Sequence, residues 1–186
     1  VGASQANNSF VKNNSFAMEF SYLEINPAFS TLQVGFPNGS LANISLNVLS
    51  TTNAFTLSGL SDGSHNFTMF ATDLAGNQAT NTSLYKIIVD TAAPSSLFIL
   101  SPPTTANNSF SKNTTQVVGF NVADANLASA VAQVGFPNGT LSNRTASVSG
   151  STGTVVLGGL QDGTHNITLF ASDLAGNQAT NTSLLT

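Results

Sequence analysis

The sequence predicts an all-β protein made of two tandem antiparallel β-sandwiches, with about seven strands in each. The first observation is a repeat, because residues 7–84 and 107–184 align without a gap and share 42 identities in 78 positions. A repeat of 100 residues has the size of a domain rather than of a solenoid unit. The second observation is that apolar residues alternate with polar ones between recurring turn signals, with no sustained helical periodicity.

We place the first domain at residues 1–92 and the second at residues 93–186. The apolar run Leu97-Phe98-Ile99-Leu100 reads as the first strand of the second domain, and its counterpart in the first domain would precede residue 1. By the same register, the counterpart of residues 87–90 would follow residue 186. We therefore expect the first domain to lack its first strand and the second to lack the end of its last strand. An excised piece of a longer array, or strands supplied by neighbouring copies, would explain both gaps.

The first half of each repeat reads as four short strands. Met18, Phe20 and Tyr22 alternate along one strand and should face the core. A second strand over residues 31–36 ends at a Pro-Asn-Gly sequence, which is a strong turn signal, and residues 40–48 form the returning strand. Residues 55–57 form another short strand before the next turn.

The second half of each repeat contains the clearest strand. His65, Phe67 and Met69 alternate with Asn66 and its neighbours, so the two sets face opposite sides of a sheet. The Asp-Leu-Ala-Gly-Asn sequence at 73–77 then predicts a hairpin turn, and residues 85–89 complete the last strand. From both repeats we predict six core residues, namely Phe20, Phe67, Met69, Phe120, Ile167 and Leu169.

The composition excludes several functional classes. The formal net charge of −4 excludes the basic surface of a nucleic-acid-binding protein. Cysteine is absent, which excludes disulfides, and no apolar run is long enough for a transmembrane helix. The chain has only 12 charged residues among 186, and a surface with so few charges tends to aggregate unless something else keeps it soluble.

The sequence suggests that sugar has this role. The N-glycosylation sequon Asn-X-Ser/Thr occurs 12 times, whereas the contents of Asn, Ser and Thr predict about five occurrences by chance. All six positions persist across the repeat, even where the neighbouring residues differ. A simple abundance of turn-forming residues explains this less well. The predicted acceptors are Asn7, Asn13, Asn38, Asn43, Asn66, Asn81, Asn107, Asn113, Asn138, Asn143, Asn166 and Asn181.

Three short motifs resemble those of bacterial and archaeal Ig-like repeats from cell-surface proteins. They are Leu-x-Asp-Gly-x-His at 60–65, Ala-x-Asp-x-Ala-Gly-Asn at 71–77 and Val-Asp-Thr-x-Ala-Pro at 89–94. The family usually has Tyr where this chain has His65 and His165. The resemblance implies an Ig-like fold and a stalk, adhesin, sheath or filament role, and the sequon density looks more like that of archaeal surface chains.

We therefore expect an extracellular, cell-surface structural protein, with an adhesin or carbohydrate-binding module as the alternative. The expected partners are neighbouring copies or further repeats of the same protein, joined covalently or by strand exchange. We expect no enzyme, because no nucleophile, base and orienting group occur together. The two histidines are interpreted as hydrogen-bonded residues at the edge of the core.

The acidic residues leave one alternative open. Asp62 and Asp73 each offer one carboxylate, and we interpret both as turn-stabilising residues rather than calcium ligands. Asp90, with Asp124 or Glu24, keeps a calcium site at the domain junction possible. We nonetheless expect no metal and no cofactor other than covalent N-glycans.

Overall fold

The computed structural model describes residues 2, 3, 5–21, 23–46, 52–81, 85–100 and 106–181. The chain divides into two compact units, Val1–Thr91 (unit 1) and Ala92–Thr186 (unit 2). Both units are all-β, as the sequence predicts. The described ranges contain no helix, so none of them holds a helix that is long and apolar enough to cross a membrane.

Unit 1 is built from strands whose apolar residues alternate with polar ones. Within the described residues they are β1 (Gly2–Ala3), β2 (Ser9–Val11), β3 (Phe16–Ser21), β4 (Pro27–Gly35), β5 (Leu41–Leu46), β6 (Thr52–Leu57), β7 (Gly63–Asp73), β8 (Gln78–Thr80) and β9 (Tyr85–Val89). One sheet has the order β1-β3-β6. The other has the order β2-β9-β7-β4-β5, with β8 paired to β7.

The core of unit 1 lies between these two sheets. Phe16 and Met18 of β3 are buried against Phe67 of β7 and Ile87 of β9. The Phe16 and Phe67 rings meet edge to face, with centroids 5.7 Å apart. Phe67 is buried as predicted, whereas Met69 is only partly buried at the margin of the same cluster.

Unit 2 also has two sheets with a core between them, but the strands at the sheet edges differ from those of unit 1. Its described strands are β10 (Ser95–Leu100), β11 (Gln116–Ala123), β12 (Leu127–Gly135), β13 (Leu141–Thr145), β14 (Ser147–Ser149), β15 (Thr152–Leu157), β16 (Asn166–Asp173) and β17 (Gln178–Thr180). One sheet has the order β10-β11-β15-β14 and the other β13-β12-β16-β17. The predicted core residues Phe120, Ile167 and Leu169 are all buried between them.

Two features differ from the sequence prediction, and two predicted core positions are not tested. Strand β2 was not predicted, and it pairs with β9 in parallel, so unit 1 is not purely antiparallel. The first sheet of unit 1 does have an initial strand, β1, although this strand has only two residues, whereas β10 of unit 2 has six. The predicted core positions Tyr22 and the Phe20 side chain lie outside the described residues.

Candidate functional site

Ten of the twelve sequon asparagines have exposed side chains, at the same five positions in each unit. They are Asn7, Asn13, Asn38, Asn43, Asn66, Asn107, Asn113, Asn138, Asn143 and Asn166. Exposure of the asparagine is the first requirement for a glycan acceptor in a folded domain. The geometry around these ten residues is therefore compatible with glycosylation, which itself stays a prediction.

Two of the exposed sequons form the tips of hairpins. Asn38 lies between β4 and β5, and its Oδ1 accepts hydrogen bonds from Ser40 N at 3.0 Å and Ser40 Oγ at 2.7 Å. Asn138 makes the same two bonds with Thr140, at the same distances. In each case the sequon hydroxyl is bonded to its own asparagine, and this local turn holds the acceptor at the end of the sheet.

Two more sequons in each unit lie on the outer face of one sheet. In unit 1 they are Asn43 on β5 and Asn66 on β7, which flank the central strand β4. The Oδ1 of Asn43 accepts a hydrogen bond of 3.1 Å from Gln33 Nε2. Asn66 is exposed while the flanking His65 and Phe67 are buried, which confirms the two faces predicted for this strand.

The remaining exposed sequons lie in the loops that precede β2, β3 and β11. Asn7 and Asn13 occupy these loops in unit 1, and Asn107 and Asn113 occupy them in unit 2. Asn7 also has a structural contact, because its Oδ1 accepts a hydrogen bond of 2.8 Å from Lys86 N on β9. The acceptors are thus spread over one sheet face and the loops.

Asn81 and Asn181 differ from the other ten sequon residues. Asn181 is only 5% exposed, and its Nδ2, the atom that would carry a glycan, donates a hydrogen bond of 3.0 Å to Leu97 O on β10. Asn81 is half-buried, and its Oδ1 accepts a hydrogen bond from Met69 N. The fold therefore uses both residues to fix the strand that follows the hairpin turn, and Asn181 is a poor acceptor in the folded unit. No feature of the sequon pattern distinguishes them, because the triplet is the same.

The two units differ at one sheet edge. In unit 1, residues 63–67 of β7 pair with β9, which buries Ile87 and Val89 in the core. In the described part of unit 2, no strand pairs with β16 on that side beyond the short β17, which reaches only residues 170–172. Accordingly, β7 has 11 residues and begins at Gly63, whereas β16 has eight and begins at Asn166. By the 100-residue register, the counterpart of β9 begins at residue 185, outside the described residues.

The two histidines differ in how far they are buried. His65 is fully buried, its Nε2 lies 2.8 Å from Ser61 O, and its ring packs edge to face on Phe36. His165 packs on Phe136 in the same way but is only half-buried. The interpretation of His65 as a hydrogen-bonded residue at the edge of the core is confirmed.

The Asp-Leu-Ala-Gly-Asn motif at 73–77 and 173–177 forms the same hydrogen-bonded turn in both units. The Asp73 carboxylate accepts hydrogen bonds from Asn77 N at 2.8 Å and Asn77 Nδ2 at 2.7 Å, and Asp173 and Asn177 repeat both bonds. The side-chain hydrogen bond from Asn77 holds the pKa of Asp73 below its ordinary value. The turn interpretation of Asp73 is therefore confirmed.

Asp62 has a different role from the predicted one. Its Oδ1 accepts hydrogen bonds from Thr91 N at 3.1 Å and Thr91 Oγ1 at 2.9 Å, so it fixes a residue 29 positions later rather than its own turn. This pair joins the Asp-Gly motif to the Val-Asp-Thr motif within unit 1. Sequence spacing gives no sign of such a contact.

Glu24 and Asp124 also accept backbone hydrogen bonds. Glu24 Oε1 accepts from Asn26 N at 3.0 Å, and Asp124 Oδ1 accepts from Asn126 N at 2.6 Å. Asp90 is buried, and its backbone N donates to Val11 O at 2.9 Å. Within unit 2, carboxylate oxygens of Asp124 and Asp173 lie within 4.8 Å of each other. Calcium binding stays untested, because two carboxylates with amide donors are too few oxygen ligands to establish a site.

Unit 2 also has a shallow cleft of about 410 Å³. Its lining includes Asp124, Ser129, Thr145 and Val148, and no aromatic residue lines it. A cleft of this size lies within the range of small-ligand sites, but its walls lack the aromatic surface on which sugars commonly stack.

Comparison with known proteins identifies a family. The model of the bacterial Ig-like domain (group 3) matches residues 50–186, which is most of the chain. No curated protein matches the sequence.

Three solved structures are similar to the chain. A tetra-tandem repeat from the extending region of a large adhesion protein is 19% identical, with a TM-score of 0.42, and the match covers 98% of this chain and 47% of that one. A solved chain from a structural study of the host cell surface retention of a 1.5-MDa bacterial ice-binding adhesin is 18% identical, with a TM-score of 0.45, and the match covers 96% of this chain and 60% of that solved chain. Fibronectin(III)-like modules of Clostridium thermocellum CbhA are 12% identical over 96% and 88%, with a TM-score of 0.48. The chain thus spans about half of the length of the first two.

Proposed function

Because the chain belongs to the bacterial Ig-like domain family (group 3), we propose that it is a structural segment of an extracellular, N-glycosylated array. Such an array would form a cell-surface filament, sheath or stalk, in which the sandwiches act as spacers. The observation that carries the proposal is the set of ten exposed sequon asparagines, at equivalent positions in both units. A surface with 12 charged residues needs another source of solubility, and glycans on these asparagines would supply it.

The proposed partners are neighbouring copies or further repeats of the same protein. The two tandem units support this, because they share one fold and 42 identities in 78 aligned positions, as the units of a longer array would. Unit 1 shows the strand by which such copies could join, since β9 pairs with residues 63–67 of β7 and buries Ile87 and Val89 in the core.

One end of unit 1 also supports contact with a further module. Leu23, Ile25 and Phe29 are exposed by 96%, 90% and 54%, and Leu74 lies beside them, since its N donates to Asn26 O. Clustered exposed apolar residues commonly mark protein interfaces. The equivalent positions of unit 2 have the smaller residues Ala123, Ala125 and Ser129.

A strand-addition experiment tests the proposed partner. A synthetic peptide with the sequence of residues 85–91 should bind the full chain and raise the melting temperature of unit 2 as its concentration increases. The control peptide carries Asp in place of Ile87 and Val89, which keeps the backbone donors but cannot enter the core. Equal effects of the two peptides, or none, would contradict strand addition to unit 2.

Electron microscopy of native material tests the array itself. We expect extended filaments or sheaths with a repeating lobe of domain size, and isolated globular particles would contradict the proposal.

A binding module is the second candidate, and the cleft of unit 2 is the observation that favours it. A glycan array would distinguish the two functions. Selective binding that is lost in Ser129→Trp, which fills the cleft, would favour an adhesin over a purely structural segment.

A further inference from the structure

Two features beside Asn66 have no explanation in the fold. The first is Gly35, in the last position of β4, directly opposite Asn66. Its backbone does not have a positive φ. A Cβ at this position would also fit, since the nearest atoms would be Leu41 Cδ2 at 3.5 Å and Asn66 Cβ at 3.6 Å. Glycine weakens a strand, and inside one it often marks a place where a ligand approaches the backbone closely.

The second feature is Leu41, which is 65% exposed on the other side of Gly35. A leucine on the solvent face of a strand covers no core, and here its methyl group leans over the glycine. Leu41, Gly35 and Asn66 thus form one row across three neighbouring strands. Flanking strands of a sheet are about 9–10 Å apart. Between Leu41 and the predicted glycan acceptor Asn66, the central strand therefore contributes only the backbone of Gly35.

Unit 2 repeats the whole arrangement. Leu141 is 66% exposed, and Gly135 lies opposite both Leu141 and Asn166. A Cβ at Gly135 would lie 3.6 Å from Leu141 Cδ2 and 3.7 Å from Asn166 Cβ, nearly the distances of unit 1. The other acceptor on this face has no such surroundings, because Asn43 faces the Gln33 side chain, which is hydrogen-bonded to it.

We infer that Gly35 and Leu41 form a seat for the first sugar of a glycan on Asn66, and that Gly135 and Leu141 do so for Asn166. The glycine places no side chain beneath the sugar, and the leucine methyl groups pack against the apolar C–H face of the sugar ring. The inference rests on the proposed glycosylation of these asparagines. Its consequence is that the Asn66 and Asn166 glycans are ordered against the sheet and stabilise it, whereas the Asn43 glycan extends into solvent.

Nuclear magnetic resonance of the glycosylated full chain with labelled leucine methyl groups tests the contact directly. Nuclear Overhauser effects should connect the Leu41 methyl groups to protons of the first sugar. Glycopeptide mass spectrometry of the same sample establishes whether Asn66 is occupied. An occupied Asn66 without these cross-peaks would overturn the seat alone, and an unoccupied Asn66 would overturn both the seat and the acceptor role of this residue.

The melting temperatures of single and combined variants supply a second readout. Leu41→Ser should lower the melting temperature of the glycosylated protein by a few degrees, and it should have little effect in the Asn66→Gln background. The loss should persist in the Asn43→Gln background, which removes only the neighbouring glycan. Leu74→Ser, at another exposed leucine, should have the same effect in all three backgrounds. If Leu41→Ser acts equally with and without the Asn66 glycan, the leucine only covers the glycine and the seat is wrong.

Discussion

Phe67 shows at the residue scale how the alternating pattern determines the core. The residue is 2% exposed and lies between the Phe16 ring of the opposite sheet and Tyr85 of β9. Removal of a buried aromatic ring leaves a cavity that packed neighbours cannot close. We expect Phe67→Ala to lower the free energy of unfolding by about 3–5 kcal/mol. Denaturant unfolding measures the change, and a loss below about 1 kcal/mol would mean that the strand register is wrong.

Asn181 shows where the same reasoning failed. The sequon predicts a surface asparagine, but its side chain is buried and bonded to Leu97 O. Because the buried Asn181 side chain donates to the partly buried Leu97 O, Asn181→Ala should destabilise unit 2 by about 1–3 kcal/mol. Asn143→Ala is the control in unglycosylated protein, since Asn143 is exposed, and it should change stability by less than about 0.5 kcal/mol. Equal effects of the two substitutions would contradict the structural role of Asn181.

At the scale of elements, Gly153 on β15 is required by the ring of Phe120. A Cβ at Gly153 would lie 2.2 Å from Phe120 Cζ, and Phe120 is fully buried and cannot move aside freely. We expect Gly153→Ala to cost about 1–3 kcal/mol through overpacking. Gly158→Ala is the matched control, because the nearest atom to its Cβ would be Thr115 Oγ1 at 3.9 Å. Calorimetry of both variants should show a clear fall in melting temperature for the first alone.

The strands that the sequence predicted are those with long alternation. β7 and β16 have five or more alternating positions, so their inner and outer faces could be assigned from the residue types. β2 was not predicted, because its three residues lie between two Asn-Asn pairs, and such polar flanks are typical of a loop. The Asp62–Thr91 contact was missed for another reason, since tertiary hydrogen bonds between distant residues leave no local pattern.

At the scale of the whole molecule, the question for experiment is whether the carboxylates bind calcium. Asp173 accepts hydrogen bonds from Asn177 N and Asn177 Nδ2, and Asp124 accepts one from Asn126 N, so amide groups stabilise both carboxylates. We therefore expect a chelator to leave the melting temperature of the full chain unchanged. The proximity of Asp124 and Asp173 makes the opposite result informative, because a clear drop that calcium restores would assign a cation to this pair.

The candidate site could be predicted only in part. The sequence located all twelve sequons, and ten of their asparagines are exposed in the folded units. It could not reveal that Asn181 is buried under β10, or that Asn66 lies opposite a glycine with an exposed leucine beyond it. Both features depend on which strands become neighbours, and this follows from the sheet order rather than from the triplet.

Mass spectrometry of the native protein tests the central claim most directly. Glycopeptide analysis should find sugar on most of the ten exposed asparagines and an unmodified Asn181. Native peptides that cover these ten positions and carry no sugar would contradict the account of a glycan-coated array.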